Sequence, residues 1–531
     1  MIREKIRNLI EKAIKELQKK GTFPNFQIPK IKIESVDRIG RYLYGDYSSA
    51  IAIRIRRDAN MNPMEIIDKL KEKIEEFDSK LFLKIEPKKP GFINFFLSEN
   101  YLQENLKEIL KQKEKFGNLK IGKGKKVNVE FVSANPTGPL TLGNGRGGFC
   151  GDVLTNILNK AGFKTKREYY INDTGEQIRK LGHSVIGDAE AVYKGDYINN
   201  LRKKIKGKNP DKIGEAAAKV ILKEMIKPSI KRMGMKFDVW FSEKSLYKNK
   251  KVDKILDYLK KKKLTYEKEE ALWFKSTQFG DDKDRVLVKA DGEKTYIASD
   301  IAYLKNKFER GFDNLIYIWG ADHYGYIARI KAAAESLGFK KEKVEIIIMQ
   351  LVRLFEKGQE VRMSKRSGVY VTLDELINEV GLDAARFFFL TKSPGTHLNF
   401  NLDLAREKSE KNPVYYVQYA HARICSILNK AEKKIIYGNY GLLKEPSELE
   451  LIKELIRFPE IVEDTAKDYQ VQRIPQYVID LATTFHRFYK DCWVISEDKQ
   501  LTKARLSLIT ATKIVLKNTL DLMGISAPEK M

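Results

Sequence analysis

The sequence predicts a doubly wound parallel α/β domain, preceded by a small α/β module and followed by an all-helical domain. Three observations carry this reading. Apolar runs such as 127–132 (Val-Asn-Val-Glu-Phe-Val), 314–319 (Asn-Leu-Ile-Tyr-Ile-Trp) and 344–349 (Val-Glu-Ile-Ile-Ile-Met) alternate with helical segments, the pattern of a parallel sheet covered on both faces. The first of these runs breaks at Asn135-Pro136-Thr137-Gly138-Pro139, and the glycines from Gly143 onward open a helix. Strand, loop and helix start in that order suit a phosphate at a helix N-terminus. After about residue 404, strand signals vanish and helical spacing takes over.

Composition bounds the rest. At 531 residues the chain exceeds what one hydrophobic core organises, so three or four domains are expected. Lys plus Arg outnumber Asp plus Glu by 99 to 72, a formal charge of +27 that stability does not require. A polyanionic partner would explain it, and so would a lysine-rich proteome, because lysines run through nearly every segment. The three cysteines, Cys150, Cys425 and Cys492, form no Cys-x-x-Cys pair, which fits a reducing cytosol and speaks against structural zinc. The N-terminus opens an amphipathic helix rather than a signal peptide, and no apolar run approaches the ~20 residues that span a bilayer. A cytoplasmic protein that does not engage membranes is expected.

Taken in order, residues 1–110 form the first module. Ile2, Ile6, Leu9, Ile10, Ala13, Ile14 and Leu17 make one apolar helical stripe. Residues 42–56 end in strand-like alternation, Pro63 begins a helix through about Phe77, and 91–97 reads as another strand. Arg54, Arg56 and Arg57 with Tyr42, Tyr44 and Tyr47 suit RNA contacts, or equally a solvated strand face with ordinary core aromatics. Residues 111–403 form the doubly wound domain. A helix is expected from about Arg146 to Ala161, then a strand over 166–171 and a turn at 172–175, with a charged helical insertion over about 185–235. Residues 404–531 form the helical domain, with Gly524 ending the last helix. Lys433 and Lys434 there could face RNA or simply be solvated.

The motif Gly143-x-Gly145-x-x-Gly148 with Glu168 twenty residues on superficially matches a dinucleotide fingerprint. That reading fails, because the first glycine must follow the strand directly, whereas ten residues and two prolines intervene. A second basic element supports a different nucleotide site. Residues 354–368 read as a hairpin followed by a loop bearing Arg362, Lys365 and Arg366, and a capping box at Thr372 and Glu375 starts the next helix. Three cations on a loop beside such a sheet suit a departing pyrophosphate.

Together these elements resemble the two signatures of class I aminoacyl-tRNA synthetases: the His-Ile-Gly-His type at Thr141-Leu142-Gly143-Asn144 and the Lys-Met-Ser-Lys-Ser type at Arg362-Met363-Ser364-Lys365-Arg366. Five further blocks narrow the resemblance to bacterial-type arginyl-tRNA synthetases. They begin at Ser133, Tyr170, Gly280 (Gly-Asp-Asp-Lys-Asp-Arg), Gly320 (Gly-Ala-Asp-His) and Asn412 (Asn-Pro-Val-Tyr-Tyr-Val-Gln-Tyr-Ala-His-Ala-Arg). The resemblance covers essentially the whole chain and implies a Rossmann-like catalytic domain, an N-terminal module at the outer corner of tRNA and an anticodon-binding helical domain. It implies ATP and Mg2+, L-arginine and tRNA(Arg) as ligands, a monomer, activation that requires bound tRNA, and transfer to a 2′-hydroxyl.

Carried over position by position, the resemblance assigns arginine to Ser133, Asn135, Glu243, Tyr296 and Asp300. It assigns ATP to Thr141, Gly143, Asn144, Asp322, His323, Met363, Ser364 and Lys365, with Lys365, Thr141 and Asn144 catalytic. Carboxylates suit a guanidinium, whose donors they accept in pairs, and the spacing of four puts Tyr296 and Asp300 on one face of a helix. The first signature departs from the family's usual form: Thr141 and Asn144 stand where histidines are common, so a charge-assisted bond to phosphate is forgone. Two other readings stay open, a non-synthetase nucleotidyltransferase of the same fold and a catalytically silent tRNA-binding protein.

Overall fold

The computed structural model describes residues 1–36, 41–361, 372–431 and 438–531, without the side chains of Arg41 and Tyr42. The expected basic loop from Arg362 to Gly368, with Met363, Ser364 and Lys365, and the Lys433-Lys434 pair lie outside the described residues.

The N-terminal helix Ile2–Lys19 buries Ile2, Ile6, Ile10, Ala13, Ile14 and Leu17. It packs with helix Pro63–Phe77, whose N-cap Asn62 accepts from Met64 N at 2.9 Å, over a four-stranded antiparallel sheet. Phe92–Leu97 is a strand of that sheet, as its sequence suggests. The alternation before it misleads: Ile51–Ile55 is a helix, and only Tyr47–Ser49 is strand. Ile51, Ile53 and Ile55 fit a strand face, but Ile51, Ala52 and Ile55 also make one helical stripe. Packing against helix Pro63–Phe77 and strand Phe92–Leu97 selects the helix.

The central sheet is parallel. Its strands run in the order Val344–Met349, Asn314–Gly320, Lys126–Glu130, Lys164–Ile171, Val239–Ser242. The chain starts in the middle strand, winds outward to one side, then returns to build the other. The switch point therefore lies between Lys126–Glu130 and Asn314–Gly320, where ligands of such sheets bind. One face is covered by helices Lys251–Lys261, Tyr296–Glu309 and Ile327–Ser336. The other carries helix Leu142–Lys160, where Gly151 has no room for a side chain: a Cβ would stand 2.3 Å from Phe131. The charged insertion is helical, with helices Asp196–Lys204, Pro210–Ile221 and Lys227–Arg232.

Helices Pro413–Lys430, Pro446–Ile456, Phe458–Asp468, Arg473–Asp491 and Lys499–Met523 form the C-terminal domain, and Gly524 ends the last at φ 65°. The first module docks on this bundle. Arg3 pairs with Glu460 (3.2 Å), Glu463 (3.4 Å) and Asp464 (3.0 Å), while the Tyr47 hydroxyl donates to Glu460 Oε2 at 3.2 Å. Tyr47 is thus a buried joint between domains and cannot read RNA, whereas Arg54, Arg56 and Arg57 are exposed.

Candidate active site

The site is built on the loop that leaves strand Lys126–Glu130. Val132 (φ 65°) and Ser133 (φ 37°) both occupy the left-handed region, a costly conformation for a β-branched residue, where the chain leaves the C-terminal end of this central strand. Ser133 Oγ accepts from Tyr170 N (3.1 Å) and reaches Glu130 Oε1 at 3.4 Å. Asn135 Nδ2 donates to Gln177 Oε1 at 2.6 Å.

Below the loop lies a buried network that sequence reasoning missed. Glu130 Oε2 accepts from Lys307 Nζ (2.5 Å) and the Tyr303 hydroxyl (2.9 Å), and that hydroxyl also reaches Glu168 Oε1 at 2.6 Å. Arg310 grips both oxygens of Glu168 at 2.7 and 2.8 Å. Burial opposes charge on Glu168, but Lys307 and Arg310 prevail and hold its carboxyl below the usual range. Glu168 is therefore structural, consistent with rejecting the dinucleotide fingerprint. A signal for this network was present in the sequence: Tyr296, Asp300, Tyr303 and Lys307 continue one stripe along helix Tyr296–Glu309.

Glu243 and Asp300 meet near Tyr170. Glu243, 2% exposed, accepts from Ser299 Oγ at 3.0 Å. Asn172, with its amide turned to satisfy both neighbours, donates to Glu243 Oε2 at 2.8 Å. Asp300 makes no hydrogen bond or ion pair among the described residues. Burial, then repulsion from Asp173, pushes the Glu243 carboxyl up to about 7, and burial, then Glu243, pushes Asp300 up to about 7. Two carboxyls pushed up this way, with Asp300 lacking a hydrogen-bond partner among the described residues, suit a cation that brings its own donors. Tyr296, 50% exposed, stands at the start of the same helix, and the charge of Glu243 adds to burial in raising its phenol.

The other half of the loop begins helix Leu142–Lys160. Thr141 and Asn144 form a capping box: Thr141 Oγ1 accepts from Asn144 N (3.4 Å), and Asn144 Oδ1 accepts from Thr141 N and Oγ1, both at 2.9 Å. This corrects the expectation of two free phosphate donors. The Thr141 hydroxyl is committed to the cap, and Asn144 Nδ2 is the donor left without a partner among the described residues. Gly143 is exposed beside it.

Thr141 also bridges to Thr372, and Leu373 N donates to Leu140 O at 3.0 Å. Thr372 caps its own helix with Glu375, as the sequence indicates. Gly145 is required here, because a Cβ would stand 2.5 Å from Leu373. The described chain after the second signature is thereby pinned to the first. Asp322 and His323 are exposed on the turn after strand Asn314–Gly320, across the switch point from Ser133, with the His323 ring 5.7 Å from Trp319.

Three family models match: the arginyl tRNA synthetase N-terminal domain over 4–97, the catalytic domain of class I (R) tRNA synthetases over 187–394, and the DALR anticodon binding domain over 417–531. The arginine–tRNA ligase of Caldanaerobacter subterraneus subsp. tengcongensis is 46% identical, covering 100% of this chain and 99% of the relative. That of Bacillus subtilis is 42% identical, with 100% of each chain covered. The Thermus thermophilus arginyl-tRNA synthetase structure superposes with a TM-score of 0.79 over 100% of both chains at 22% identity, a likeness of fold. Identity of this order along the whole length, on a sheet whose switch point carries the expected loop, shows that the chain belongs to the arginyl-tRNA synthetases of class I.

Proposed function

We propose that the protein activates L-arginine with ATP and transfers it to the 2′-hydroxyl of the terminal adenosine of tRNA(Arg). The single observation that carries the substrate assignment is the pair of neighbouring acidic side chains, Glu243, which is buried, and Asp300, the latter with no hydrogen-bond partner among the described residues, beside the loop that starts at Ser133. The guanidinium enters between them with Tyr296 at the rim, and Ser133 and Asn135 hold the α-ammonium and carboxylate. ATP lies on the Thr141–Asn144 helix start, its Nδ2 donor at Asn144, with Gly143 allowing close approach and Asp322 and His323 at the nucleoside end. A magnesium ion arriving with ATP would offset charge on its phosphates. Met363, Ser364 and Lys365 complete the phosphate contacts.

In activation, the arginine carboxylate attacks the α-phosphorus and pyrophosphate leaves, so the protein needs no general base; orientation and charge stabilisation supply the rate. The tRNA hydroxyl then attacks the carbonyl carbon of the adenylate, and AMP leaves. An amino acid lacking the guanidinium fork leaves Glu243 and Asp300 unsatisfied, a penalty large enough to dispense with editing. Residues 1–110 touch the outer corner of the tRNA, 111–403 carry the chemistry, and 404–531 bind the anticodon of a tRNA held by a cytoplasmic monomer. The test is arginine-dependent ATP–pyrophosphate exchange with and without tRNA(Arg). Exchange only with tRNA is expected; none in either condition refutes the activity, and exchange without tRNA refutes its dependence.

A further inference from the structure

The helical insertion touches the loop ahead of its ATP half at one place and the helix that bridges to that half at another, through residues no motif singled out. From helix Asp196–Lys204, the Tyr197 hydroxyl donates to Thr137 O at 3.0 Å and lies over Gly138, where a Cβ would stand 3.2 Å from it. From helix Lys227–Arg232, at the insertion's other end, Ser229 Oγ donates to Asp374 Oδ2, Arg232 Nη1 donates to Asp374 Oδ1 at 3.4 Å, and Arg232 Nη2 donates to Asn378 Oδ1. Asp374 sits in the first turn of helix Leu373–Val380, whose cap Thr372 bridges Thr141. The insertion therefore holds Thr137 directly and Thr141 through the neighbouring helix. Three residues of one loop, Gly138 to Leu140, lie between the two points. The arginine half of the loop has other supports, Glu130 and Tyr170 at Ser133 and Gln177 at Asn135.

We propose that Tyr197 and Arg232 are positioning residues for ATP: the insertion is a brace that sets the backbone from Thr137 to Asn144 against helix Leu373–Val380. This deepens the reading of Thr141–Asn144 as the ATP half and rests on it. Neither residue need touch the nucleotide. Each fixes a carbonyl or a helix start that does, and a misplacement of about 1 Å there costs up to about a hundredfold in rate.

The test is arginine-dependent ATP–pyrophosphate exchange of the full chain with tRNA(Arg) present. Tyr197→Phe removes one hydroxyl, Arg232→Met removes the ion pair at similar length, and Arg232→Lys is the conservative rescue. Each loss variant is expected to raise KM for ATP by about three- to tenfold while KM for arginine stays within about twofold, and Arg232→Lys recovers most of the loss. The double variant loses less than the product of the single losses, because both links hold one unit. Unchanged KM for ATP in the two loss variants, even with a lowered unfolding temperature, overturns the brace, as does an equal rise in both KM values. If Arg232→Met fails to fold, Tyr197→Phe decides alone. A parent protein without exchange refutes the underlying reading and the brace with it, whereas an active parent with unaltered variants refutes the brace only.

Discussion

Arginine affinity should depend steeply on pH between 6 and 8. Burial, helped by Asp173 at Glu243 and by Glu243 at Asp300, pushes both carboxyls up to about 7 in the free protein, and a guanidinium needs both ionised. For two independent groups near 7, the fraction with both ionised climbs from about 1% at pH 6 to about 80% at pH 8, an affinity gain of about a hundredfold. If only one of the two must ionise, the gain falls to about tenfold. Isothermal titration of L-arginine at pH 6, 7 and 8, in two buffers of different ionisation enthalpy, measures both the affinity and the protons released. Between one and two protons should leave at pH 6 and almost none at pH 8.

The stability of the free protein carries the opposite sign. Carboxyls raised in the folded state contribute stability that is fully present below the ordinary carboxylate pKa and is lost as pH rises through about 7. Arginine restores it by pairing, so the arginine-induced rise in unfolding temperature should grow from pH 6 to pH 8. An affinity flat across this range, with no proton release at pH 6, would refute the assignment of these two carboxyls to the guanidinium.

Two further outcomes test the surroundings. Asn144→Ala should remove a cap worth about 1 kcal/mol and lower the activation rate far more than it weakens ATP binding, whereas Asn144→Asp keeps the cap oxygen but loses the Nδ2 donor. Asn144→Asp should thus hold the unfolding midpoint in urea while exchange falls by at least about tenfold; equal rates in variant and parent would refute the donor role. Lys307→Met strands the buried Glu130 carboxylate and should cost about 3–5 kcal/mol in urea unfolding, most of it recovered when Glu130→Gln is added. A loss below about 1 kcal/mol would show that the ion pair carries no structural weight.

Much of the architecture was legible because its signals are local. An apolar stripe wrote helix Ile2–Lys19, Pro63 marked the start of helix Pro63–Phe77, the Thr372–Glu375 box announced the start of helix Leu373–Val380, and continuous apolar runs wrote the parallel strands. Failure came where one pattern served two conformations: Ile51 and Ile55 satisfy a strand face and a helical stripe alike, and only neighbours distant in sequence choose. The same limit applies to Tyr47, which fits an RNA contact and a core aromatic alike until Glu460 arrives from the far end of the chain.

Sequence by itself determined the doubly wound domain, the loop and helix start that follow strand Lys126–Glu130, and the helical C-terminal part, because motifs and periodicities are properties of adjacent residues. Tertiary structure alone decided that Thr141 and Asn144 are tied to each other and to Thr372, and that Lys307 and Tyr303 underpin Glu130. It also decided that the Asp300 carboxyl has no hydrogen-bond partner among the described residues. The reason is physical: hydrogen bonding, desolvation and the resulting pKa depend on which groups the fold brings within a few ångströms, and residues 130, 168, 243, 300 and 307 meet only when the sheet is wound.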